Sequence, residues 1–202
     1  MNFLIYLTNK TDEYRVVREL YKIDDSTNLY MIEIGLAQYT DIFNEWDLAP
    51  FKHRELGPEL RLYLEESSNE IPSKYPIELC FTVPAAIRNH QIENDLRDAL
   101  KNSFIYKRYF LKKEVEKTNK QMLVLVVVGF VCLWVANTIS TEANLQSILL
   151  EGLAISGWVF IWEAVSLFFF TNRELYHRYK TYKRLQNAPV IFREAKQNNF
   201  SG

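Results

Sequence analysis

The sequence predicts an α+β soluble domain, a three- or four-stranded sheet with helices, fused to a two-helix transmembrane hairpin. Three observations carry this expectation. The first half holds β-rich runs that alternate with helical spacing. Between Lys120 and Glu142 lie 21 consecutive uncharged residues. A second apolar run extends from Leu145 to about Phe170.

The opening NFLIYLT reads as a first strand: its apolar core is only about five residues and no A-x-A-like site follows, so it is not a secretory signal. A helix is expected over Asp12 to Lys22, with Val16, Val17, Leu20 and Ile23 at helical spacing. Strands are expected over Leu29 to Ala37 and over Pro76 to Pro84, the second bracketed by prolines that suit strand ends. Between them ELRLYLEESSNE predicts a helix from about Pro58 to Glu70. From about Ala86 the residues Ile92, Leu96, Leu100, Phe104 and Leu111 keep helical spacing, and no Pro or Gly interrupts the chain before Gly129. One long helix therefore runs from the soluble domain into the apolar segment, unless it breaks near Thr118 and Asn119. The closing APVIFRE is a short β-like run suited to the edge of the same sheet.

The run 121–141 is rich in Val and Leu, and at 1.5 Å per residue it spans roughly 30 Å, the thickness of bilayer hydrocarbon. The second span, about 145–170, contains Glu151 and Glu163, so a buried core helix is its alternative reading. The linker STEANLQ has no Lys or Arg, whereas residues 101–120 hold seven and 173–184 five. That asymmetry puts both flanks in the cytoplasm and the linker outside. The expected domains are thus 1–118, cytoplasmic α+β; 119–171, transmembrane hairpin; and 172–202, a basic helix and C-terminal strand. RELYHRYKTYKRL either lies on the headgroups or simply extends the second span.

Charge excludes one class of partner. Residues 1–100 carry 18 Asp and Glu against 10 Lys and Arg, so the soluble half lacks the basic surface that nucleic acid requires. Cys80 and Cys132 alone supply neither a disulfide framework nor a metal cluster, and they read as small apolar residues. His53, His90 and His177 are scattered, so no metal and no cofactor are expected. No phosphate-binding glycine loop, nucleophile elbow or zinc-helix motif occurs.

Two features remain as candidate sites. The loop DIFNEWDLAPFKHREL gathers Asp41, Trp46, Asp47 and His53, a constellation that serves binding or catalysis on a loop, or only anchors a connection through its aromatics. Glu163 is a carboxylate inside a span, which costs about 3 kcal/mol at mid-depth unless neutral or paired. At 100° per residue Gly152, Ser156, Glu163 and Ser166 share one stripe, matched on the first span by Gly129, Cys132, Ala136 and Ser140, and small residues on a stripe mark helix contacts. Glu163 is then expected at the helix interface, facing protein or water. Self-association, a water-filled path and a protonated acid all remain open, as does solvation from the cytoplasmic interface. Glu151 is expected to reach the outer headgroups.

The order Asp41-x-Phe43-Asn44-x-x-Asp47, the Pro50-Phe51 dipeptide, the pre-strand Tyr75-Pro76, Gly157-Trp158-Val159 in the second span and the closing Pro189-Val190 resemble a group of uncharacterised bacterial two-transmembrane-helix inner-membrane proteins with an N-terminal cytoplasmic α+β domain. The likeness covers most of the chain from about Tyr39. It implies a multi-pass bacterial inner-membrane protein with both termini cytoplasmic, and brings no activity with it. Three functions are weighed on the residues: a membrane-anchored interaction or sensory module without catalytic activity, recognising a cytoplasmic protein or small ligand; a homo-oligomeric ion channel or membrane-perturbing effector built around Glu163; and a membrane-surface enzyme using the Asp41–His53 loop. The non-catalytic module ranks first.

Overall fold

The computed structural model describes residues 17–138 and 144–195. The expected strand over NFLIYLT, the first part of the expected helix over 12–22, the tip of the STEANLQ linker and Ser140 lie outside the described residues. A helical turn is present at residues 17–20.

Three strands form one sheet: β1, Tyr30–Gly35; β2, Ile77–Val83; and β3, Val190–Glu194. Their order is β1-β2-β3 and both pairings are parallel. Parallel neighbours need crossover connections rather than hairpins. The first crossover carries α1, Pro58–Glu70, which opens on a proline in its first turn, where the missing N–H costs nothing. The second is far longer. It carries α2, His90–Thr138; α3, Asn144–Ser166; a π-helical turn, Leu167–Thr171; and α4, Asn172–Asn187. β2 is the middle strand, and six of its seven residues are buried, as expected for a parallel strand covered on both sides.

Register assigns the faces. Tyr30 lies beside Ile77, Leu79 between Ile32 and Val190, and Phe81 between Ile34 and Phe192. Side chains in register point the same way, which makes this the apolar face. Phe81 and Phe192 stack with ring centroids 5.4 Å apart. The guanidinium of Arg97 in α2 lies over the Phe192 ring at 5.1 Å and donates to the Val190 carbonyl. Leu96, Leu100 and Phe104 of α2 and Tyr182 and Leu185 of α4 are fully buried in the same unit.

The chain divides into two compact units, residues 1–107 with 181–202, and residues 108–180. Within the first, Arg184 of α4 holds the C-terminal end of α1. Its guanidinium donates to the carbonyls of Ser68, Ile71, Pro72 and Tyr75. Helix ends leave carbonyls unpaired, and a cation there satisfies both the hydrogen bonds and the dipole. Thr181 to Asn69 and Tyr182 to Glu65 add side-chain bonds along the same seam.

In the second unit α2 and α3 run antiparallel. Asn172 donates to Asn119 at 3.0 Å, and Arg108 donates to the Tyr179 hydroxyl at 2.7 Å. Gly129 and Gly157 set the closest approach: a Cβ on Gly129 would sit 2.9 Å from the Gly157 carbonyl oxygen, and one on Gly157 would sit 2.8 Å from Leu133. Both helices are long and apolar enough to cross a membrane, and only 6% and 11% of their most apolar stretches are buried. The core-helix alternative for the second run is therefore not what the fold contains. α2 passes Thr118 and Asn119 without a break.

Replacing Arg184 by Met leaves several partly buried carbonyls without a donor. The substitution is expected to cost roughly 3 kcal/mol, from the loss of charge-assisted bonds. Urea denaturation of the full chain followed by circular dichroism measures it; a loss below about 1 kcal/mol would show those carbonyls to be satisfied without the guanidinium.

Candidate functional site

The loop after β1 is built by its own carboxylates. Asp41 accepts from the N–H groups of Ala37 and Gln38 at 3.1 and 2.8 Å, fixing the turn Tyr39–Ile42. Asp47 accepts from the N–H groups of Ala49 and Glu55 at 2.9 and 2.6 Å, and those bonds hold its carboxyl below the ordinary aspartate value. Phe43 bridges to Leu56 and both are buried. His53 is exposed on a separate short turn, Phe51–His53. Trp46 is 92% exposed and Leu48 90%, so the indole does not anchor the loop. The four residues singled out from the sequence are thus not one catalytic constellation: two cap backbone, one stands in solvent, and Trp46 is displayed.

What the loop does enclose is a cleft of about 480 Å³ at the C-terminal end of β1, lined by Gly35, Asp41, Trp46, Gly57 and Glu59 among others. Open parallel sheets bind ligands at the carboxyl ends of their strands. Asp47 and His53 do not line it.

The same turn reaches the start of α2. Tyr39, buried, donates to Glu93 at 3.3 Å and accepts the Asn89 N–H at 3.0 Å. Asn89 caps the helix, its Oδ1 accepting the N–H groups of Gln91 and Ile92. Glu93, 1% exposed, is paired with Arg88 at 3.1 Å, and Arg88 also donates to Glu194 and the Phe192 carbonyl. The first turn of α2 is thereby tied to β3 and to the rim of the cleft. The sequence expectation missed this network because its members lie up to 106 residues apart; the Asn-x-x-x-Glu spacing before an apolar helix was its only local signal.

On the other sheet face, Glu78 sits fully buried beside Asp24, with Thr27 donating to it at 3.0 Å and Arg193 paired to Asp24. The Ser26 hydroxyl and N–H, at 2.6 and 2.7 Å, bring Asp24 down from 3.8 to about 2. Burial pushes Glu78 up. Cys80, next on this face, is a free buried thiol, also pushed up by burial, and Cys132 is half-buried and free. Among the described residues no cluster of His, Cys, Asp or Glu is arranged to hold a metal ion.

The helix contact differs from the stripe read in the sequence. Gly129 is buried at the contact, while Cys132 and Ala136 are half-buried. On α3 the contact runs through Gly157, Ile161 and Ala164. Gly152 has nothing within 4 Å of a Cβ, and Ser156 is exposed, its hydroxyl donating to the Gly152 carbonyl at 2.8 Å. Glu163 is exposed rather than at the interface, because neighbouring residues on a helix point about 100° apart and Ala164 takes the inward place. Glu151 is exposed as well. Both small-residue stripes satisfy helical spacing, and only the packed geometry selects between them.

No known protein family, curated protein or solved structure matches the chain.

The Glu78 and Asp24 pair makes stability depend on pH in two directions. A raised folded value stabilises below the unfolded one and is lost as pH rises through it; a lowered value stabilises above the unfolded one and is lost as pH falls toward about 2. Glu78→Gln is expected to flatten the decline in thermal midpoint as pH rises above the ordinary glutamate range, and Asp24→Asn the decline as pH falls toward about 2. Unchanged profiles in both variants would remove the pair from the pH response.

Proposed function

We propose that the chain is a two-pass, membrane-anchored interaction or sensory module of the bacterial inner membrane, with residues 17–107 and 181–195 on the cytoplasmic side. The observation that carries this reading is the unbroken 49-residue helix α2. Its first turns are buried in the soluble unit through Leu96, Leu100 and Phe104, and its last turns are an apolar stretch with almost no buried surface. At 1.5 Å per residue it is roughly 74 Å long, enough to leave the soluble unit and cross a bilayer.

Sheet pairing supports the number of crossings. β2 and β3 are hydrogen-bonded neighbours, so the chain between them crosses any membrane an even number of times, and the helices provide two. The Lys and Arg flanks at 101–120 and 173–184 favour the cytoplasm for both ends. The resemblance to bacterial two-span proteins points the same way.

A non-catalytic role fits the loop chemistry. Asp41 and Asp47 spend carboxylate oxygens on backbone N–H groups, and of the two only Asp41 lines the cleft, which His53 does not reach either, so no acid, base and nucleophile converge in this loop. One observation favours a second reading, an oligomer: Glu163 is exposed on the hairpin and makes no hydrogen bond or ion pair with another described residue. A carboxylate turned outward in a span is relieved by a neighbouring protein, a water path or protonation. A pore assembled from several hairpins is the strongest version of that reading.

Single cysteines at Glu142 and Lys183 test the crossing pattern in intact bacterial cells, with both native cysteines replaced by serine. A membrane-impermeant maleimide is expected to label Glu142→Cys from outside and Lys183→Cys only after lysis. Equal labelling of both in intact cells would overturn the two-pass arrangement.

A further inference from the structure

We propose that the cleft at the end of β1 binds a small organic cation, an ammonium compound with an apolar body, held between the Trp46 indole and the Glu45 and Glu59 carboxylates. This rests on the sensory reading above and names the ligand class of its soluble unit. At about 480 Å³ the cleft is of the size that takes a small molecule.

Its lining is chemically one-sided. Ile34, Leu36 and Phe43 supply apolar surface, and the charged residues are Asp41, Glu45 and Glu59, with no Lys or Arg among them. Asp41 is occupied by the backbone of its own turn. Glu45 and Glu59 are exposed and engage no other described residue by a hydrogen bond or ion pair. An anion would find only the N-terminus of α1, and that end is poorly equipped for it: Pro58 brings no N–H, and Glu59 already sets a negative charge against the dipole.

Trp46 gives the second half of the argument. An indole 92% exposed beside a cleft is an unpartnered aromatic face, and the face of an indole attracts cations more strongly than that of any other side chain. Its negative ring face and the two carboxylates attract the same charge, while the apolar lining accepts the body of the ligand. Occupancy is felt at the long helix through one short turn. Asp41 of Tyr39–Ile42 lines the cleft, and Tyr39 of the same turn holds Glu93 and Asn89 at the start of α2.

The test uses the full chain in nanodiscs of zwitterionic lipid, titrated with phenethylamine and with phenylacetate, an anion of similar frame. Tryptophan fluorescence and calorimetry are read together, since Trp46 is the only tryptophan before the first apolar span. Phenethylamine is expected to give a saturable signal whose fluorescence part vanishes in Trp46→Phe, with binding weakened roughly tenfold in Glu45→Gln/Glu59→Gln and no response to phenylacetate. No saturable response to the amine, equal binding of the anion, or full affinity in the double variant would each overturn the assignment. An intact labelling pattern at positions 142 and 183 beside such a failure removes the ligand class alone; a failed labelling pattern removes the sensory reading itself.

Discussion

The pairing of β3 with β2 is the constraint on which the rest of the chain depends. Five residues near the end of the described chain lie parallel to a strand more than a hundred residues earlier. Everything between them, two long apolar helices included, is therefore a closed excursion that must return to the sheet. Loop-closure entropy grows only slowly with length, so such a return is tolerable when local contacts hold it. Those contacts are specific: Phe192 stacked on Phe81, Arg97 over Phe192, Arg88 on the Phe192 carbonyl, and Arg184 across the end of α1. Arginine suits these places because its planar fork serves several carbonyls at once.

The excursion also explains why α2 starts as it does. A helix of 49 residues is held at its base by one short region, and that base is over-determined. Asn89 caps it, Tyr39 and Arg88 both bind the buried Glu93, and Leu96 and Leu100 fill the space above the sheet. Such a base fixes the first turns of α2 against the sheet. The hairpin partner is fixed at three heights, Arg108 with Tyr179, Asn119 with Asn172, and Gly129 with Gly157. Backbone contact at small residues is how helices pack where lipid offers no hydrophobic drive.

Much of this architecture was legible in the residues. The three described strands, α1 and the long helix are all written in periodicity: prolines bracket β2, and the absence of Pro or Gly from Ala86 to Gly129 forecasts α2. The interior chemistry was not. Glu78 looks like the polar member of an alternating strand, and only the arrival of Asp24 and Thr27 on that face buries it. Arg184 sits in a run of basic residues that reads as membrane flank, yet its four carbonyl partners lie at the end of another helix. For the hairpin, Ser156 and Gly157 are adjacent and both small, so a one-residue phase shift decides whether Glu163 or Ala164 turns inward.

The central claim is that one continuous helix, α2, leads from the unit that holds the sheet into the apolar hairpin. Amide hydrogen exchange of the full chain in nanodiscs, resolved residue by residue from Lys107 to Leu125, tests it most directly. Continuous protection through Thr118 and Asn119 is the predicted result, with rates changing smoothly toward the lipid. A patch of fast exchange at those two residues would contradict it, showing that the helix is broken there.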